Sequence, residues 1–296
     1  MAERYFPGCT LKQKALGFDR SLRDVMAALG RELCELEGWN CCGATFPLSV
    51  DNLLDLTGPA RILATARASG ERLLVACATC YNVLRRTNHL LRQDEEKREK
   101  VNLFIEADYA GDLEVVHPIE VLHREIGPAR LREAVRRPLT GLRVAAYYGC
   151  LLLRPPAEVA FDDVEHPVLL DGLVAAVGAT PVSYPHRGEC CGAYLAVRSA
   201  EAAMAASYRV LGAATAAGAD LVVTSCPLCQ FNLDHRQTAM RERQAGFRPV
   251  PVLYFSQLLG LAVGVDPTGY LLERHDVDPR PLLAEHGFLA ASQAAF

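Results

Sequence analysis

The chain has 296 residues, half of them apolar, and a formal net charge of −4; that length suits one large core or two domains of roughly 150 residues each. No Lys/Arg-rich stripe alternates with aromatics, so a nucleic-acid or membrane-surface role has no electrostatic support. The opening residues, MAERYFPGCT, carry no secretory pattern, and the most apolar stretch, Val252 to Val265, is too short to span a bilayer. A cytoplasmic protein is expected.

In chain order, strands are predicted near 4–8, 31–36, 72–76 and 113–116, with helices near 13–29, 50–69, 79–98 and 118–126. The charged run Arg92 to Lys100 reads as a solvated helix end. Residues 127–141, rich in Pro and Arg, read as a linker. Beyond it come a strand at Leu142 to Tyr148, a helix at Val168 to Val177 and a strand at Ala179 to Tyr184. An Ala-rich helix at Glu201 to Ala217, a strand at Asp220 to Ser225 and a helix at Pro227 to Arg241 follow, then a strand at Val250 to Leu253 and a helix at Tyr254 to Val263. Alternating strands and helices predict an α/β protein with two pseudo-symmetric Rossmann-like halves, each a parallel sheet with flanking helices. The expected divisions are 1–126, the linker 127–141, and 142–296 with a C-terminal extension. That extension, Asp266 to Phe296, has no counterpart in the first half; its pair Phe288-Leu289 is expected to pack on its own domain or on a neighbour.

The eleven cysteines carry the chemistry. They fall at 9, 34, 41, 42, 77, 80, 150, 190, 191, 226 and 229. Without Cys34 they form two sets of one order: a single Cys, a Cys-Cys-Gly, and a Cys-x-x-Cys. In the first set 31 residues separate Cys9 from Cys41, and 34 separate Cys42 from Cys77, with Cys80 just beyond. In the second, 39 separate Cys150 from Cys190, and again 34 separate Cys191 from Cys226, with Cys229 just beyond. The flanks repeat too: Phe6-Pro7-Gly8-Cys9 parallels Tyr147-Tyr148-Gly149-Cys150, and Leu73-Leu74-Val75-Ala76-Cys77 parallels Val222-Val223-Thr224-Ser225-Cys226. Duplication of one unit explains this.

Placed on the predicted skeleton, the cysteines follow strand ends. Ligands in open parallel sheets collect beyond the carboxyl ends of the strands, so the five thiols of a half are expected on one rim. Pro227 suits a first helical position and Thr79 suits an N-cap. Gly43 and Gly192 suit a positive φ or a close approach. A reducing compartment keeps thiols free, which makes metal or redox chemistry the reading of such a cluster. Zinc uses four ligands and needs no adjacent pair, whereas an iron cluster uses surplus thiolates more naturally. Cys34 reads as a core thiol. His186, Arg187 and Glu189, ahead of the second vicinal pair, read as cleft-lining residues or as ordinary loop polarity. Tyr147 and Tyr148 read as core, while Asn82, Gln230 and Asn232 are candidates to donate hydrogen bonds to sulfur.

The two runs, Cys-x31-Cys-Cys-Gly-x33-Cys-x-x-Cys and Cys-x39-Cys-Cys-Gly-x33-Cys-x-x-Cys, resemble the CCG cysteine-rich domain in duplicate, as in the family of the heterodisulfide reductase B subunit. The resemblance runs from Tyr5 to about Val263. It implies two noncubane 4Fe-4S clusters, held by Cys9, Cys41, Cys42, Cys77 and Cys80 in a first CCG domain and by Cys150, Cys190, Cys191, Cys226 and Cys229 in a second. Zinc in one half is the alternative. The implied activity is that of an iron–sulfur oxidoreductase acting on sulfur groups: two-electron reduction of a disulfide, or the reverse oxidation of thiols. The implied substrate is a small-molecule or protein-bound disulfide, and the implied electron source is a ferredoxin-like C subunit served by a flavin-containing A subunit. Alternatives are an electron-transfer subunit of another CCG-containing oxidoreductase (succinate, lactate, glycolate or acyl-CoA linked) and a zinc-stabilised assembly module.

Overall fold

The computed structural model describes residues 2–45 and 53–289. Strands β1 (Ala2–Phe6), β2 (Glu32–Glu35), β3 (Arg72–Val75) and β4 (Glu114–Val116) form one sheet in the order β2-β1-β3-β4. Strands β5 (Arg143–Ala146), β6 (Thr180–Pro181), β7 (Leu221–Thr224) and β8 (Val252–Tyr254) form a second in the order β6-β5-β7-β8. Every pairing is parallel. The two sheets therefore repeat one topology, and the order reverses between β1 and β3 and between β5 and β7. The central strands end in apolar runs, Tyr5-Phe6, Leu73-Leu74-Val75 and Val144-Ala145-Ala146, and all four residues of β7 are buried, because helices cover both faces.

Several elements differ from expectation. The helix expected at Pro227 to Arg241 is two, Pro227–His235 and Gln237–Arg243. That near 118–126 is a turn, Pro118–Glu120, running into a π-helix, Val121–Ile126. Three others differ for a local reason each. Strand β6 is two residues long, because Pro181 cannot donate to a ladder and confines the segment to a short edge. The helix expected over 79–98 is two helices, Ala78–Gln93 and Glu95–Ile105, with Asp94 capping the second through a bond from the Lys97 amide. The segment 127–141 opens with a helix, Gly127–Ala134, that packs on helix Leu169–Ala176. Of the helix expected near 50–69, Leu54–Ala68 is observed, and residues 50–52 lie outside the described residues.

One hydrophobic core runs through both halves. Helix Leu16–Ala28 of the first half lies against helix Phe255–Val263 of the second. Phe18 stacks on Tyr254 with ring centroids 4.5 Å apart and planes 5° from parallel, a contact worth about 0.5–1.5 kcal/mol beyond its buried area. Beside it the Ser21 and Ser256 hydroxyls meet at 2.7 Å. The C-terminal extension completes the seam: Tyr270 is fully buried against Gly17 and Gly260. Phe288 and Leu289 are buried in the chain's own core, and Arg137 donates to the Phe288 carbonyl at 2.6 Å. Residues 290–296 lie outside the described residues.

Candidate iron–sulfur centres

Each cysteine of the repeat that follows a strand sits just past its end. Cys9 follows β1, Cys77 follows β3, Cys150 follows β5 and Cys226 follows β7. These four strands flank the two places where strand order reverses, the crevices that open sheets use for ligands. Cys77 and Cys226 are also the N-cap residues of helices Ala78–Gln93 and Pro227–His235. Their sulfurs thus share the helix ends where backbone N–H groups are free and the dipole favours negative charge. Pro227 occupies the first helical turn as expected. Thr79 does not cap, because Cys77 holds that position.

The thiols of each half converge. In the first, the Cys9 and Cys41 sulfurs are 3.7 Å apart and those of Cys42 and Cys80 are 3.2 Å apart. In the second, Cys191 and Cys229 lie at 3.5 Å, and Cys150 contacts Cys190. Cys77 neighbours both Cys80 and Cys226, and Cys226 neighbours Cys229. The two nests therefore meet at Cys77 and Cys226, with the Ala78 amide donating across the seam to the Ser225 carbonyl at 3.4 Å. Gly43 and Gly192, at φ of +84° and +87°, turn the chain after each vicinal pair. Their amides donate back to Cys41 at 3.4 Å and to Cys190 at 3.3 Å. Gly8 and Gly149 leave the room that a side chain would take: a Cβ there would stand 3.0 Å from the Cys80 sulfur and 3.4 Å from that of Cys229.

The electrostatics divide the thiols. Cys42, Cys190 and Cys226 are lowered. Cys77, Cys80, Cys150, Cys191 and Cys229 are raised by their sulfur neighbours and by burial, and Cys41 by burial and by its sulfur neighbours. The Cys42 thiol is lowered to about 7, chiefly by its hydrogen bond from Cys80. Cys190 is also lowered, first by Cys150, and Cys226 well below the usual thiol range, first by Cys229. Their partners rise in compensation; Cys191 is pushed up to about 12, first by Cys190. Among the described residues no three His, Cys, Asp or Glu side chains are arranged around a single metal ion. Five thiols per half, an adjacent pair in each and glycines at the sulfurs form a donor set that fits a multi-iron cluster better than one tetrahedral ion.

The remaining sequence candidates separate. Cys34 lies on edge strand β2 opposite Arg4 and is half-buried rather than a core thiol, because an edge strand is covered on one side only. Tyr147 and Tyr148 are buried; the Tyr147 hydroxyl donates to the Glu189 carbonyl at 2.6 Å and that of Tyr148 to Asp171 at 2.6 Å. Of the three amides, Asn232 alone reaches sulfur, donating to Cys191 at 3.8 Å. Asn82 holds the carbonyls of Leu151 and Arg154, both at 2.7 Å, and Gln230 donates to Asp234 at 3.1 Å. His186, Arg187 and Glu189 line a cavity of about 400 Å³ with Arg154, His166 and Tyr184, and no cysteine lines it. Within it the His186 Nδ1 meets Glu189 at 2.7 Å, and Arg187 pairs with Asp171 at 3.2 Å. The Arg187 carbonyl accepts from the Tyr148 and Gly149 amides, both at 3.0 Å, which ties the loop before Cys190 to the chain before Cys150.

Two further residues lie near sulfur without a signal in the sequence. The Thr79 hydroxyl is 3.4 Å from the Cys226 sulfur of the other half. Tyr194, two residues past Gly192, donates to the Ala44 carbonyl of the first half, beside its vicinal pair, at 2.6 Å. It stands over the seam between the nests. No sequence periodicity marks such contacts, because they join residues from different halves.

The family model described as a cysteine-rich domain, CCG, matches residues 4–85 and again 144–234. The chain belongs to this family. Its CCG relatives match along nearly their whole length. It is 34% identical over 94% of its length, and 98% of the other's, to a protein of Wolinella succinogenes named 8-methylmenaquinol:fumarate reductase membrane anchor subunit. It is 33% identical over 95% of both chains to the B subunit of the ferredoxin/F(420)H(2)-dependent CoB-CoM heterodisulfide reductase of Methanosarcina acetivorans. A protein of Archaeoglobus profundus, named as like the B subunit of heterodisulfide reductase, is 32% identical over 88% of this chain and 90% of its own. A solved structure of a hypothetical protein from Helicobacter pylori shares the fold at a TM-score of 0.73 and 14% identity, over 93% of this chain. This CCG chain spans about half of that one, 51%. No helix among the described residues is long and apolar enough to cross a membrane.

Proposed function

We propose that this chain is the iron–sulfur subunit of a heterodisulfide reductase-like complex, in which a disulfide is reduced by two electrons between two noncubane 4Fe-4S clusters, or two thiols are oxidised in reverse. The observation that carries the reading is the convergence of ten cysteines into two five-sulfur nests that meet at Cys77 and Cys226. The relatives named as the B subunit of heterodisulfide reductase, or as like it, support this reading. When bound, the clusters supply electron storage and iron sites with affinity for sulfur.

The chain's own residues do the rest. Cys9, Cys41, Cys42, Cys77 and Cys80 hold one centre, and Cys150, Cys190, Cys191, Cys226 and Cys229 the other. Cys42, Cys77 and Cys80, with Cys191, Cys226 and Cys229, are buried and keep water from the inner side of each nest. Cys9 and Cys41 are exposed, and Cys150 and Cys190 are partly so, which leaves the outer side open to a substrate sulfur. Tyr194 orients the mouth between the nests. Arg187, through its carbonyl bonds to Tyr148 and Gly149, positions the loop that carries Cys190. The electron balance requires two electrons and two protons per disulfide, giving two thiols. A ferredoxin-like C subunit, fed by a flavin-containing A subunit, is the proposed electron source.

A second reading, an electron relay within a fumarate reductase-type complex, is favoured by the Wolinella succinogenes relative. Anaerobic iron, zinc and sulfide analysis followed by EPR with and without thiol separates the readings. About eight irons and eight sulfides per chain, with a thiol-perturbed spectrum, supports the disulfide enzyme. Unperturbed clusters select the relay. Zinc without iron or sulfide overturns both.

A further inference from the structure

The two nests are built from the same ligand pattern but not from the same neighbours. The spacing that matches Cys42 with Cys191 and Cys80 with Cys229 matches Val83 with Asn232 and Thr79 with Leu228. Asn232 is buried at 1% exposure, and its amide donates to the Cys191 sulfur at 3.8 Å. Its orientation is fixed from the other end, where the Arg236 Nε donates to its Oδ1 at 3.0 Å. Val83 at the matching place has no donor to give.

The second difference crosses the seam. Thr79, 3% exposed, brings its hydroxyl to 3.4 Å from the Cys226 sulfur. A metal-bound Cys226 is a thiolate without a proton, so the hydroxyl is the donor. Leu228, at the reciprocal place, returns nothing to Cys77. Both extra donors thus serve the second nest. In the first, the one side-chain hydroxyl near a ligand among the described residues is Thr10, 3.8 Å from exposed Cys9, where water competes for the same bond.

Hydrogen bonds to ligand sulfur stabilise the reduced, more negative state of a cluster and raise its potential, whereas exclusion of solvent lowers it. The second nest is the more closed, with Cys150 and Cys190 partly buried where Cys9 and Cys41 are exposed. It also carries the added donors. We infer that Asn232 and Thr79 are positioning residues that hold up the reduction potential of the second-half centre, through Cys191 and Cys226, and offset the cost of adding an electron in the more enclosed nest. This rests on the reading that both halves hold iron–sulfur centres. Arg236 acts through Asn232 by holding the amide toward sulfur.

The test is an EPR-monitored anaerobic redox titration of the iron-loaded chain with dithionite as reductant. Wild type, Asn232→Val, Thr79→Val and Arg236→Ala are compared, and the signal altered by Cys190→Ser identifies the second-half centre. The expected result is a downward shift of that midpoint in Asn232→Val and Thr79→Val, and a smaller one in Arg236→Ala, with the first-half midpoint unmoved as an internal control of folding. Thr79→Val is the sharper case, since Thr79 belongs to the first half in sequence. If Asn232→Val does not fold, the other two variants decide. Two centres whose midpoints do not move, or move together, overturn the inference while leaving the proposed function standing. Iron and sulfide for fewer than two centres in the wild type overturn that function first, and the inference with it.

Discussion

The two halves share strand order, the order of their cysteines and a cysteine at a helix N-cap. Yet among the described residues the second nest is the more enclosed and has the buried donors Asn232 and Thr79, while the first has Val83 where the second has Asn232. A further contrast lies on the strand beside each nest. After β4, His117 caps a helical turn, its amide bonded to Glu120 at 2.9 Å. At the end of β8, Tyr254 caps helix Phe255–Val263, its amide bonded to Gln257 at 2.8 Å. The cap residue's backbone amide is held in both, once by a carboxylate and once by a side-chain amide, but only His117 also accepts through its own side chain, from the Ile119 amide at 3.2 Å. Duplication has preserved the ten cysteines and the backbone that carries them, and has let diverge the side chains around them.

The strongest way to break the comparison is to remove a matched ligand from each half. Cys42→Ser and Cys191→Ser are each expected to lower bound iron by about half and turnover by at least about 100-fold, with the untouched half retaining its centre. Loss of all iron from either variant, read by metal analysis, would mean that the nests assemble as one unit.

Next in size is the seam. An added Cβ at Gly17 would stand 2.1 Å from the Tyr270 carbonyl, and one at Gly260 2.1 Å from its hydroxyl. Neither neighbour is the end of a flexible chain, so Gly17→Ala and Gly260→Ala should each cost about 1–3 kcal/mol or more. Denaturant unfolding measures this. A single transition shifted in both variants keeps the halves as one cooperative body; two separated transitions would divide them.

A smaller effect depends on pH. Burial lowers His117 from its ordinary 6.5 to about 3, against the bond from its Nε2 to the Ala76 carbonyl at 2.9 Å. The unfolded chain takes up the proton first, so the stability present above about 6.5 is lost progressively as pH falls toward 3. His117→Gln should flatten the slope of unfolding free energy against pH in that window, while Tyr254→Phe at the matching cap leaves it unchanged. Equal slopes in wild type and His117→Gln would remove His117 from the account. The smallest effect is expected at Cys34, which lies outside both nests: Cys34→Ser should keep the full iron content and shift stability by about 0.5 kcal/mol or less.

Much of this was legible in one dimension. The Cys-Cys-Gly and Cys-x-x-Cys pairs and the strand–helix alternation specify the repeat, the parallel sheets and the ten candidate ligands, because cysteine spacing and apolar periodicity are properties of the chain itself. Pro181 and Asp94, which shorten β6 and split a helix, were also visible, but their effect depends on whether a neighbour's ladder or cap competes for the same backbone groups. The sequence could nominate Asn82, Gln230 and Asn232 together and had no means of choosing among them. Helix direction and the path of Leu151 to Arg154 send Asn82 to carbonyls, and only Asn232 faces a sulfur. Thr79 on Cys226, Tyr194 over the seam, and Tyr270 between Gly17 and Gly260 join segments remote in sequence or from opposite halves. A local pattern fixes which groups a chain offers, but which of them meet is settled only when two cores close on each other.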